Sequence, residues 1–124
     1  MAKNEIFKHG DNLSVTVTHP TAPVSGDVVR YGQIVGVATT SEDSVSGKTS
    51  VTFRGVHELS VKGVNGSGNS AVAAGDKLYY VDADTPVLSK KDTGVFAGYA
   101  WESAGNPGTV ASGATAAIPV RLVG

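Results

Sequence analysis

The 124-residue chain contains no cysteine. That removes a disulfide scaffold, a cysteine-ligated zinc site and a thiol nucleophile. Neither sign of charge is in excess: 10 Lys and Arg stand against 11 Asp and Glu, for a net charge of −1. So weak a field does not drive non-specific binding to a duplex, and no nucleic-acid partner is expected. No segment approaches the roughly 18 apolar residues of a membrane helix, so no membrane partner is expected. Met1 to Gly10 has one early lysine but no apolar stretch of the kind a secretory signal needs. The expectation is a protein that stays in the cytoplasm where it is made.

What the chain has in quantity is glycine, with 16 residues spread along its whole length. The longest stretches free of Gly and Pro, Val37 to Ser46 and Asp76 to Thr85, show no helical spacing of apolar residues. A glycine costs about 1 kcal/mol inside a helix, and short helices are marginal, so a helical domain is excluded. Strand patterns are clear. Leu13, Val15 and Val17 alternate with Ser14, Thr16 and Thr18. Val51, Phe53, His57, Leu59 and Val61 share one parity between Thr49 and Lys62, and Ile118, Val120 and Leu122 share another near the C-terminus. Val28 to Val37, Lys77 to Val81 and Val95 to Trp101 are denser runs, expected to be buried on both faces.

Short strands bounded by Gly-Asp, Asn-Gly and Gly-Asn pairs indicate an all-β fold, a small antiparallel β-barrel or sandwich with an extended N-terminal arm. Residues 1–12 are assigned to the arm and 13–124 to one domain, long enough to bury a core unaided. Pro86 and Pro119 are expected at edges, strand starts or bulges. The stretch from Gly63 to Ser70 reads as a flexible surface loop, and Ala104 to Thr115 as a second. Ser25-Gly26-Asp27-Val28 is echoed by Ala74-Gly75-Asp76-Lys77. The echo is either ordinary turn chemistry used twice or the mark of a pseudo-symmetric barrel.

Motifs that invite chemistry are incomplete. Gly47-Lys48-Thr49 ends like a phosphate-binding loop, but Glu42 occupies the position of the first glycine and an alternating strand follows where a helix is needed. Gly66-Ser67-Gly68-Asn69-Ser70-Ala71 matches a relaxed dinucleotide fingerprint, yet Gly75-Asp76 stops any helix after one turn. His9, His19 and His57 are too far apart in sequence for a local metal pair. His57 reads as a half-buried, hydrogen-bonded histidine or as a subunit-interface residue. Asp82-Ala83-Asp84 lacks the further ligands of a calcium loop. No catalytic residue, metal site or cofactor is assigned, and no enzyme is expected.

The ordered features are familiar as a set. They run from Met1-Ala2-Lys3-Asn4 through Gly10-Asp11-Asn12-Leu13-Ser14-Val15, Ser25-Gly26-Asp27-Val28-Val29 and Gly36-Val37-Ala38. Gly55-Val56-His57-Glu58-Leu59 and Val72-Ala73-Ala74-Gly75-Asp76-Lys77-Leu78-Tyr79-Tyr80 follow. Gly94-Val95-Phe96-Ala97-Gly98-Tyr99-Ala100 and Ile118-Pro119-Val120-Arg121-Leu122 complete the string. Across nearly the whole chain this resembles the capsid decoration, or cement, proteins of tailed bacteriophages. The resemblance implies a protein of the virion exterior, assembled in the host cytoplasm. It would bind the expanded capsid as a homotrimer and stabilise it by bridging major capsid proteins. The competing reading is a β-sandwich binding module of a phage tail or fibre, for carbohydrate or protein. Against a carbohydrate site stands the small number of aromatics, with Phe53, Phe96, Tyr99 and Trp101 expected in core strands. Partner contact, with the capsid or a neighbouring subunit, is assigned to Asn4, Glu5, Ile6, Phe7 and Lys8. Their two large apolar side chains are enough to anchor an arm by β-augmentation, unless the terminus simply frays.

Overall fold

The structure, a computed structural model, describes residues 12–123. Its ten strands are β1 (Asn12–Val15), β2 (Val28–Tyr31), β3 (Ile34–Ala38), β4 (Thr49–Thr52) and β5 (Arg54–Asn65), then β6 (Gly68–Asn69), β7 (Lys77–Tyr80), β8 (Leu88–Lys90), β9 (Val95–Ala100) and β10 (Thr115–Val123). The described residues contain no helix. Five strands form a barrel in the order β10-β9-β7-β8-β5, which β5 closes by pairing back onto β10. The other four-stranded sheet runs β1-β4-β3-β2 and is antiparallel throughout. The all-β class holds. One barrel pair, β5 with β8, is parallel, so the barrel is mixed rather than wholly antiparallel.

Alternation builds the interior. Leu59 and Val61 on β5 face Ile118 and Val120 on β10, and Leu78, Tyr80, Leu88 and Leu122 complete the wall, with Val72 and Val110 filling the space between. Each large apolar side chain so buried contributes roughly 1.5–3 kcal/mol. Val35 and Val37 join this core from β3, with Val28 packed beside them, so one face of the small sheet caps the barrel. Its other face holds a second cluster of Val29, Ala38, Val51 and Phe53, against which Val15 and Val17 pack. The chain leaving β1 crosses that cluster to His19, which bridges Arg30 on β2. Both faces of β3 are therefore buried, as its unbroken apolar run requires. The parity of Thr49 to Val61 is absorbed by these two internal cores and calls for no partner.

Three expectations change. The Gly63-to-Ser70 stretch is an ordered hairpin: Val64 and Asn65 pair with Asn69 and Gly68 across the two-residue turn Gly66-Ser67, where Ser67 N donates to Asn65 Oδ1. In the second loop Val110 pairs with Val72 and is buried. Pro119 lies inside β10, but its carbonyl accepts from Trp101 N just past Ala100, the last β9 residue to pair, so no ladder donor is missing there.

The internal echo is structural, though its copies sit in different sheets. Gly26 and Gly75 take φ of 94° and 93°, which glycine alone adopts without strain. Each precedes an aspartate that accepts from the backbone N–H three residues back, Asp27 from Val24 and Asp76 from Ala73, both at 2.9 Å. Each glycine N–H then donates to a buried alanine at the end of the partner strand, Gly26 to Ala38 and Gly75 to Ala100. One turn design thus launches β2 against β3 and β7 against β9. Asp27→Ala and Asp76→Ala are each expected to cost about 1–2 kcal/mol, and the double variant their sum within about 0.5 kcal/mol, by urea denaturation. A double variant no worse than either single would disprove two independent copies.

Candidate interaction surface

The richest set of titratable groups lies where the small sheet meets the barrel. Arg30 on β2 grips the Asp82 carboxylate with two nitrogens, Nε at 3.0 Å and Nη2 at 2.7 Å, and donates from Nη1 to the Gly32 carbonyl at 2.8 Å. Such a bidentate pair fixes geometry as well as charge. His19 Nδ1 lies 2.6 Å from the Tyr80 hydroxyl and 4.0 Å from Asp82 Oδ1, with the two rings edge to face. Burial, reinforced by the Asp82 charge, pushes the Tyr80 phenol well above its ordinary pKa. The hydroxyl therefore keeps its proton and serves as a hydrogen-bonding group rather than a nucleophile. The hydrogen bonds from Arg30 hold Asp82 below its ordinary value, and the same contact raises Arg30. His19 and Tyr80 are 61 positions apart, so no local pattern in the sequence signals the cluster. It fastens one sheet to the other.

A cavity of about 400 Å³ opens beside this clasp, lined in part by Asp27, Glu58, Leu59, Tyr80 and Asp84. Asp27 is occupied by its turn, and Asp84 pairs with Lys91 at 2.8 Å. Asp82 and Asp84 each hold a cation from elsewhere in the chain. Among the described residues no three His, Asp or Glu side chains are grouped to hold a metal ion. Around Lys48 the backbone makes a tight turn, with Val45 N on Asp43 Oδ1 at 2.8 Å and Gly47 N on the Asp43 carbonyl, and strand β4 follows directly. His57 pairs with Val120 at the end of the barrel wall, half-buried, its Nε2 3.0 Å from the Arg54 carbonyl. That matches a hydrogen-bonded histidine. Asn4, Glu5, Ile6, Phe7 and Lys8 lie outside the described residues.

The feature that alternation alone misplaces is on the outer barrel wall. Leu78 pairs with Gly98 but Tyr79 with Phe96, so Ala97 is an extra residue and β9 bulges. The bulge buries Ala97 and Gly98 together and turns Phe96 and Tyr99, three positions apart, to the same outer face. Phe96 is 38% exposed and Trp101 41%, which corrects the expectation that they lie in the core; only Phe53 of that group is buried. Tyr79 meets Phe96 with ring centroids 5.7 Å apart, and Phe96 meets Tyr99 edge to face at 5.5 Å. Arg121 pairs with Tyr99 and lays its guanidinium over Trp101, 5.2 Å from the ring centre. On the other side Arg121 pairs with Val56, itself 50% exposed. A stripe of aromatic, aliphatic and guanidinium surface thus crosses β7, β9, β10 and β5. Single exposed apolar residues are ordinary, but a continuous stripe marks a contact surface, and Tyr, Trp and Arg are the usual anchors of one.

One protein-family model, that of the phage cement proteins, matches residues 7–119. No curated protein and no solved structure matches the chain.

The clasp carries a pH signature. A carboxylate depressed in the folded state contributes stability that is present above its ordinary value and lost as pH falls through the folded one. Asp82→Asn is therefore expected to melt below the wild type at neutral pH, with the gap closing below about pH 4. Melting curves across that range check it; a gap that does not change with pH would contradict it.

Proposed function

The chain belongs to the phage cement proteins, a family of structural rather than enzymatic proteins, and from that premise we propose how it acts. It binds the outer surface of the expanded capsid and bridges neighbouring major capsid proteins, working as a homotrimer on the virion exterior after assembly in the host cytoplasm. It performs no catalysis. The observation that carries this reading is the aromatic stripe on a barrel wall whose strands are all paired. The strands β7, β9 and β10 beneath the stripe have partners on both sides, so a partner on that wall is met through side chains, and the stripe supplies them. The arm residues Asn4 to Lys8 form a second attachment, and His57, at the barrel's end, lies near a neighbouring subunit.

Exposed aromatics also favour the competing reading, a carbohydrate-binding module. Sugar recognition uses open ring faces, whereas Arg121 covers Trp101 and the other three rings pack against one another. Protein contact fits that arrangement better.

Phe96→Ser is expected to leave the melting temperature nearly unchanged and to weaken capsid binding at least about tenfold, the loss of a central aromatic anchor. Deletion of residues 2–9 is expected to do the same, whereas Val45→Ser, an exposed valine at the β3–β4 turn, has little effect. Co-sedimentation with empty expanded capsids measures all three. Wild-type binding by Phe96→Ser would remove the stripe from the account.

A further inference from the structure

The cavity beside the clasp has a composition that the proposed function leaves unused. Among the described residues its apolar lining includes Val28, Leu59 and Val87, and its charged lining is Asp27, Glu58 and Asp84, of which Asp27 accepts from its own turn and Asp84 pairs with Lys91. The N-terminal arm has the complementary composition: Ile6 and Phe7 side by side, with Lys3 and Lys8 flanking them and Glu5 the lone acid before Asp11. We propose that this cavity receives the N-terminal arm of a neighbouring copy of the same chain, with Phe7 on the apolar floor and a flanking lysine against Glu58. The inference deepens the reading above, since it gives the arm its partner within the homotrimer.

Chain direction argues for a neighbour rather than the chain's own arm. From Asn12 the chain runs along β4 and on to His19, which lines the cavity. Asn12 precedes His19 by seven residues, so for the chain's own arm to enter the cavity it would have to double back alongside β1. A neighbour's arm needs no such reversal. Side-chain insertion also suits this protein better than strand addition, because the barrel is closed and the β2 edge beside the cavity is already held by His19. A cavity of about 400 Å³ is within the range that takes a large apolar group.

The absence of cysteine gives a clean test. One chain carries His9→Cys and another Ser60→Cys, a small exposed residue of the cavity lining. The two are mixed under mild oxidation and run on a non-reducing gel. A covalent heterodimer is expected, reduced at least tenfold by adding Phe7→Ser to the first chain, and absent when Val45→Cys replaces Ser60→Cys. No product above that comparator would overturn the proposal. So would a His9→Cys/Ser60→Cys chain that closes only on itself. Co-sedimentation of the wild type with capsids is read separately: capsid binding without the cross-link sinks arm exchange alone, and the cross-link without capsid binding sinks the cement role alone.

Discussion

Everything in this molecule depends on the closure of the barrel by β5 and β10. Nine consecutive residue pairs, from Thr115 against Lys62 to Val123 against Arg54, join the two longest strands. Without that seam the mixed sheet would have two open edges and an apolar face larger than the small sheet could cover. With it, Val61, Ile118 and Val120 are sealed from water and the hydrogen bonds of the wall are satisfied internally. Closure also decides how the protein can touch anything else. The closed wall can touch a partner only through its outer side chains, and there this chain carries an aromatic stripe; its N-terminal segment adds an apolar, basic sequence.

The second dependence is the join between barrel and small sheet. Val35 and Val37 put one face of β3 into the barrel core, and the Arg30–Asp82 and His19–Tyr80 contacts fasten the rim of the same junction. Arg30 and Asp82 are both partly open to water, so their pairing supplies orientation more than energy. The apolar contact does most of the stabilising. In the proposed role the consequence is mechanical, since a load taken by the stripe passes through two interlocked cores rather than across a hinge.

Much of this was legible in the sequence because it follows from alternation. The parity of β5 and β10, the exclusion of helices and the strand after Lys48 all come from side chains that must face one way. What was not legible depends on pairings between distant segments. The bulge at Ala97 shifts the β9 parity, and only the register against β7 reveals it, so Phe96, Tyr99 and Trp101 looked like core. The parallel β5–β8 pair likewise leaves no local trace. The Gly66-Ser67 turn lay in a stretch whose glycines and serines read as flexibility. The Gly-Asp echo was visible too, and whether it meant one barrel or two sheets rested on strand order. Of the candidate site residues, Asn4 to Lys8 lie outside the described residues and His57 sits half-buried with Nε2 3.0 Å from the Arg54 carbonyl, while the stripe and the clasp were missed.

The central claim is that this chain cements a capsid from outside, through the stripe and the arm. Cryo-electron microscopy of the parent virion tests it most directly. The account predicts a trimeric protrusion of this chain on the outer shell, with Phe96 and Tyr99 covered by neighbouring protein. A virion that lacks the chain on its outer shell, or carries it as isolated monomers with that stripe open to solvent, would contradict it.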